Sequence, residues 1–73
     1  MRRKHENAEE LILRVLRELG EANINAIRRK TGLNYYLLIK VLESLVSRGV
    51  VVERRIGRLR VFATRLTGGQ RTA

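Results

Sequence analysis

Clusters of basic side chains are the first residues in this sequence whose type and spacing indicate a chemistry. Four arginines fall within seven positions, with Glu53 as the only neighbouring acid: Arg54, Arg55, Arg58 and Arg60. Because like charges repel one another, this spacing favours no fold by itself and instead favours a polyanionic partner. A second cluster, Arg28, Arg29 and Lys30, is expected to hold a phosphate backbone, although a solvated helix face would explain part of it.

The excess of basic residues extends over the whole chain. Sixteen Lys and Arg residues face seven acids, which gives a formal net charge of +9. Leaving out residues 1–6 and 67–73 keeps 12 basic residues and 6 acids, so the difference is still +6. Arginines outnumber lysines thirteen to three, and the planar guanidinium suits bidentate contacts with phosphate or guanine. The composition therefore favours a polyanion, nucleic acid in particular, as the partner.

Residues that perform catalysis or bind metal ions are scarce. The chain has no Cys and no Asp, and its only His is His5. Glu9 and Glu10 are adjacent, but acids in a first helical turn complement the helix dipole. No metal-ligand spacing and no phosphate-cradling Gly loop is present. We therefore expect a protein that is not an enzyme, with no cofactor, no metal and no small-molecule ligand.

The hydropathy pattern contains no membrane signal. No apolar run approaches the roughly 20 residues that span a bilayer, and no apolar signal core follows the basic start of the chain. We expect a cytoplasmic, nucleoid-associated protein without membrane contact.

Hydrophobic periodicity predicts two helices in the first half of the chain. Residues 7–19 carry apolar side chains at steps of three and four, with Asn7 as the N-cap and Gly20 as a left-handed C-cap. Residues 22–24 are expected to form a short extended lead-in, and a short second helix is expected to follow a cap at Asn25. Gly32 then permits a tight turn.

The third predicted helix covers residues 35–47, and Asn34 is its expected cap. At 100° per residue, four aliphatic side chains share one buried face: Leu38, Val41, Leu42 and Leu45. The opposite face is largely polar, and it carries five residues: Tyr36, Lys40, Glu43, Ser44 and Ser47. This helix is therefore amphipathic.

After Gly49 the apolar period changes from 3.6 to 2, which predicts a β-hairpin. Residues 50–55 and 58–65 form its strands, with Ile56-Gly57 as the loop. In that register Val52 lies opposite Val61, and both belong to a largely apolar face with Val50 and Ala63. Glu53 then opposes Arg60 in a favourable cross-strand pair.

These elements predict an α+β fold that is mainly α, with three helices followed by a two-stranded hairpin. The folded domain is expected to cover residues 7–66. A basic tail, residues 1–6, precedes it, and a C-terminal tail, residues 67–73, follows it.

The order of helix, short helix, Gly turn, helix and basic hairpin resembles winged helix-turn-helix regulators of bacteria and archaea. The resemblance covers roughly residues 8–67 and is carried by INAIRRKTGLNYYLLIKVLESLVSRGVV and by RLTGG near the end. It implies a winged helix-turn-helix fold and a transcriptional regulator that binds double-stranded DNA. In that motif the second helix of the pair lies in the major groove. In this sequence the second helix of the pair is helix 35–47.

The resemblance also implies contacts residue by residue. Tyr35, Tyr36 and Lys40 approach DNA, and Ser44 lies deeper in the groove. Lys40 offers a donor to phosphate or guanine, and a tyrosine ring suits a thymine methyl group. Core packing is an equally good assignment for Tyr35, about 60° from Leu38. Asn34 is foremost a cap, and a helix N-terminus also suits a phosphate.

Two other functions remain open at this point. Winged helices also serve as protein–protein modules, and Tyr36, Leu37 and Ile39 would suit a protein partner. The other alternative is a sequence-independent architectural binder of DNA or double-stranded RNA, although the A-form major groove resists helix insertion. The arginine-rich wing favours duplex DNA. A homodimer through helix 7–19 is compatible with the sequence, which specifies neither the target site nor the direction of regulation.

Overall fold

The computed structural model describes residues 6–65, which form three helices and a small antiparallel sheet. In chain order the elements are α1 (Glu6–Leu19), β1 (Ala22–Asn23), α2 (Ile24–Thr31), α3 (Tyr35–Ser47), β2 (Val51–Ile56) and β3 (Leu59–Thr64). This mainly helical α+β arrangement confirms the predicted fold class and is compatible with a winged-helix layout. Residues 1–5 and 66–73, where most of the two predicted tails fall, lie outside the described residues.

The core lies between the three helices and the inner face of the sheet. Its largest fully buried side chains include Ile12, Leu16, Ile27 and Phe62. The predicted buried face of α3 is confirmed, because its four aliphatic residues are each at most 1% exposed: Leu38, Val41, Leu42 and Leu45. Packing of this face fixes the rotation of α3 and turns its polar side toward solvent. Within residues 6–65, no helix is both long and apolar enough to cross a membrane.

The turn between α2 and α3 is built as the sequence predicts. Gly32 has a φ of +72°, and its N–H donates to the Arg28 carbonyl at 2.7 Å. The Asn34 side-chain oxygen accepts hydrogen bonds from the N–H groups of Tyr36 (2.8 Å) and Leu37 (3.2 Å). These contacts satisfy donors that a helix start leaves without partners. The prediction of Asn34 as the cap of α3 is confirmed.

The starts of the other two helices differ from the prediction. The N-cap of α2 is Asn23, not Asn25, and its side-chain oxygen accepts from the Ala26 N–H at 2.8 Å. Asn23 also ends β1, so its extended backbone is already suited to an N-cap. The first helix begins at Glu6, so Asn7 lies inside its first turn instead of flanking it.

The sheet has three strands in the order β1-β3-β2, one more than the predicted hairpin. Ala22 pairs with Phe62 and Asn23 with Val61, so β1 covers one edge of β3. The extended lead-in predicted over residues 22–24 is confirmed for Ala22 and Asn23, which form this strand, whereas Ile24 already belongs to α2. A two-residue strand is too short to show a period in the sequence.

The register of the hairpin also differs from the prediction. The turn residues are Gly57 and Arg58, so Val52 lies opposite Ala63 and Glu53 lies opposite Phe62. Gly57 has a φ of +63°, which the first central residue of the favoured two-residue turns requires. The predicted loop would have placed Ile56 at that position, where a β-branched residue is strained.

The apolar face expected around Val52 is the outer face of the sheet. Val51, Phe62 and Thr64 are buried against the helices, whereas Val52 is 37% exposed. Because the register shift is two residues along the partner strand, the same residues share a face as predicted. Which face packs against the helices was not predicted.

Candidate nucleic-acid interface

The side of α3 that faces away from the core forms a continuous polar strip. It consists of five exposed residues at helical spacing: Tyr36, Lys40, Glu43, Ser44 and Ser47. Tyr36 is 79% exposed, more than any other large hydrophobic residue among those described. The strip contains three of the predicted recognition residues, Tyr36, Lys40 and Ser44, and places them on one side of the molecule.

Tyr35 lies on the surface at the edge of this strip, and not in the core. It is 45% exposed, and its ring meets that of Tyr36 edge-on, with 5.5 Å between centroids and 80° between planes. Tyr35 also lines a cleft that contains Asn25 of α2 and Arg58 and Arg60 of the hairpin. We call the β2–β3 hairpin the wing. The start of α3 therefore lies beside the tip of the wing.

Arg60 is held inside the wing by an ion pair. Its guanidinium donates two hydrogen bonds to the Glu53 carboxylate, at 2.7 and 3.2 Å, and lies 5.5 Å from the centroid of the Phe62 ring. These hydrogen bonds lower the pKa of Glu53 and raise the pKa of Arg60, against the opposing effect of burial. The charge of Arg60 is therefore compensated within the protein. Although Arg60 lies opposite Arg55, and not Glu53, in the register, the predicted Glu53–Arg60 pair forms diagonally.

Arg54 is separated from the other wing arginines. Its Nη2 lies 2.8 Å from Glu21 Oε2. Since successive strand residues point to opposite faces, Arg54 lies on the outer face and Arg55 on the inner one. Arg54 and Arg60 are thus both paired with acids, and they are not brought together.

Arg55 and Arg58 are the exposed cations of the wing tip. The Arg55 side chain is 71% exposed, and its Nε is 4.0 Å from a Glu53 oxygen that already accepts from Arg60. Arg58 is in the turn itself and forms no ion pair with a described residue. Two of the four predicted wing arginines therefore keep their charge available to a partner.

The basic residues of α2 lie beside a second cleft. Arg28 and Arg29 are exposed and line a shallow cleft with Asn25, Gly32 and Leu33. Lys30 is exposed too but does not line this cleft. Asn25 lines both this cleft and the one beside Tyr35. The two clefts therefore meet at Asn25, and the α2 cations and the wing tip belong to one surface.

Two residues of this surface were not predicted as site residues. Asn25 was assigned as a cap, and nothing in the sequence marks it otherwise. The sequence analysis places Glu43 on the polar face of this helix with Tyr36 and Lys40, but it assigns Glu43 no contact with a partner. Among residues 6–65, no group of three or more His, Cys, Asp or Glu side chains is placed to hold a metal ion.

Two of the three residues that favoured a protein partner are only partly exposed. Leu37 and Ile39 are half-buried, and Leu37 packs against the core. The exposed aromatic surface at the start of α3 therefore consists of the two tyrosines.

No protein-family model and no curated protein matches the chain. The assignment of a function therefore depends on the chemistry of this surface.

Proposed function

We propose that the protein binds double-stranded DNA as a winged helix-turn-helix regulator of transcription, in association with the nucleoid. The observation that carries the proposal is the pattern of charge compensation. Glu9, Glu21 and Glu53 each pair with an arginine. Three exposed cations of α2 and the wing tip form no ion pair with a described acid: Arg28, Arg29 and Arg58. A fourth, Arg55, forms one only at the 4.0 Å limit.

In this proposal α3 enters the major groove with its strip toward the base edges. A major groove about 12 Å wide admits one helix, and the core holds the strip outward. Lys40 donates to a phosphate or to guanine, while the Tyr36 ring contacts a thymine methyl group and its hydroxyl bonds a phosphate. Tyr35 packs beside Tyr36 and limits the orientations that its ring adopts.

The two cationic flanks contact the DNA backbone on either side of the groove. Arg28 and Arg29 bind phosphates beside the start of α3. Arg55 and Arg58 bind phosphates or enter the minor groove, where arginine is favoured. Arg60 supports the wing through Glu53 and contributes little charge to the contact.

Fluorescence anisotropy with a random duplex and a genomic-promoter duplex, across a salt series, tests the proposal. Five cations, the four flanking arginines and Lys40, predict a slope of log K against log salt of about −4.5. Tighter binding to the promoter duplex would indicate sequence-specific regulation. Absence of binding near about 50 mM salt, where phosphate contacts are strongest, would contradict the proposal and favour the protein-interaction alternative.

Paired charge removals make the test specific to the surface. Arg55→Ala with Arg58→Ala is expected to make the salt slope shallower by about 1.8 for every duplex. Arg14→Ala with Arg17→Ala is the matched control, because both arginines are exposed on α1 and line neither of the two clefts. An equal reduction of the salt slope in the two double variants would indicate a general charge effect and would contradict the proposed orientation.

A further inference from the structure

The acidic residue on the α3 strip is the feature that the proposed contacts leave unexplained. Glu43 lies on the α3 strip, three residues after Lys40 and seven after Tyr36, and is exposed. At 1.5 Å per residue it lies about 4.5 Å farther along the helix axis than Lys40. A helix that enters the groove with Tyr36 and Lys40 therefore carries Glu43 in as well.

The surroundings of Glu43 differ from those of the paired acids. It forms no ion pair with any described residue, whereas Glu53, its nearest acidic counterpart on the wing, is held by Arg60. The negative charge of Glu43 contributes to the raised pKa of Arg60, but less than the hydrogen-bonded Glu53 does. The Arg60 guanidinium is committed to Glu53, so Glu43 is left as an acceptor that faces solvent.

We infer that Glu43 accepts a hydrogen bond from the N4 amino group of a cytosine in the major groove and thereby determines sequence preference. The inference rests on the proposed function. An ionised carboxylate is only an acceptor, and phosphates repel it. The donors that a major groove presents are the amino groups of cytosine and adenine. Adenine also presents its N7 acceptor beside that amino group, which repels a carboxylate, so cytosine is the better partner.

An acid at this position contributes to specificity mainly by penalising other sequences. Opposite guanine or thymine, the carboxylate would face acceptor atoms and lose its hydration without gaining a hydrogen bond. Discrimination of this kind lowers the affinity for unrelated DNA as well as selecting the correct site. Glu43 thus opposes the non-specific attraction of the flanking arginines.

Selection from a randomised duplex library, with the wild-type protein, Glu43→Gln and Glu18→Gln, tests the inference. Glu18 is the matched control, because it is exposed on α1 and forms no ion pair with a described residue. The wild type is expected to select a motif with one required cytosine. In Glu43→Gln the preference at that position should weaken about five- to tenfold, and random duplexes should bind more tightly. Glu18→Gln should keep the wild-type motif.

Each contrary result has a separate meaning. An unchanged motif in Glu43→Gln, with all duplexes bound more tightly by one common factor, would overturn the inference and leave Glu43 as a solvated charge. Wild-type binding with no selected motif would overturn it too, while the proposed DNA binding would stand. If the wild type binds no duplex, the proposed function itself fails. Circular dichroism of each variant tests whether the exposed substitutions leave the fold intact.

Discussion

At the scale of single residues, Arg58 and Arg60 are two positions apart but have different surroundings. Arg60 donates two hydrogen bonds to Glu53 and lies near the Phe62 ring, with 29% of its side chain exposed. Arg58 is exposed in the turn. Identical side chains in one cluster are therefore expected to have separable roles, Arg60 in stability and Arg58 in binding.

Arg60→Ala should lower the free energy of unfolding by about 1 kcal/mol, because it removes a charged, partly buried hydrogen-bonded pair. Arg58→Ala should change stability by less than about 0.5 kcal/mol and should weaken DNA binding. Urea unfolding and anisotropy measure the two effects. Equal stability losses in both variants would contradict the separation of roles.

The Glu53 carboxylate makes the stability of the wing depend on pH. Since Arg60 lowers the pKa of Glu53 in the folded protein, the pair stabilises fully above the ordinary glutamate pKa of about 4.3. This stabilisation is lost as the pH falls through the lower, folded pKa. Thermal unfolding between about pH 3 and pH 6 should show a smaller decrease for Glu53→Gln than for the wild type. Parallel curves would show that the pair does not couple to folding.

At the scale of the elements, the cap of α3 is the contact on which the helix-turn-helix geometry depends. Asn34→Ala leaves the N–H groups of Tyr36 and Leu37 without their side-chain acceptor and should cost about 1 kcal/mol. Asn34→Asp should retain most of the stability. Asn25→Ala is the control, because Asn25 is exposed and caps no helix, and it should cost less than about 0.5 kcal/mol. A loss of about 1 kcal/mol at Asn25 would indicate that Asn25 contributes to the cap of α2.

The wing sheet offers a matched pair of valines that tests which face is buried. Val51 is 1% exposed and Val52 is 37% exposed. Val51→Ala should therefore cost about 2 kcal/mol through lost burial and the cavity it leaves. Val52→Ala should cost less than about 1 kcal/mol. Chemical denaturation of the two variants gives the comparison, and a larger cost at Val52 would indicate that the face of Val52, and not that of Val51, packs against the helices.

The helices could be predicted from the sequence because their signals are local. A 3.6-residue period, an Asn cap and a glycine that adopts positive φ specify α3 and the turn before it within one stretch of chain. The sheet depends on longer-range contacts. The β1–β3 pairing joins Ala22 to Phe62, and the choice of inner face depends on how the hairpin packs against the helices.

At the scale of the whole molecule, the same distinction applies to the candidate site. The basic clusters are visible in the sequence, but the ion pairs that compensate some of their charges are not. Arg54 is paired with Glu21, 33 residues earlier in the chain, and no local pattern indicates that contact. The fold therefore divides the four wing arginines into two that are held by acids and two that extend to solvent.

The size of the folded chain limits the length of DNA that one copy contacts. Its longest dimension is 37 Å, which corresponds to about 11 base pairs at 3.4 Å each. If one molecule contacts the duplex through α3, α2 and the wing, affinity should rise with duplex length up to about 11 base pairs. For longer duplexes it should increase only in proportion to the number of positions at which one molecule can bind. Anisotropy with duplexes of increasing length, together with hydroxyl-radical footprinting, measures this limit. Protection of two regions about one helical turn apart would instead indicate two copies on neighbouring half-sites. In that case the cationic surface of each copy would contact one half-site, and a contact between the two proteins would have to set the spacing.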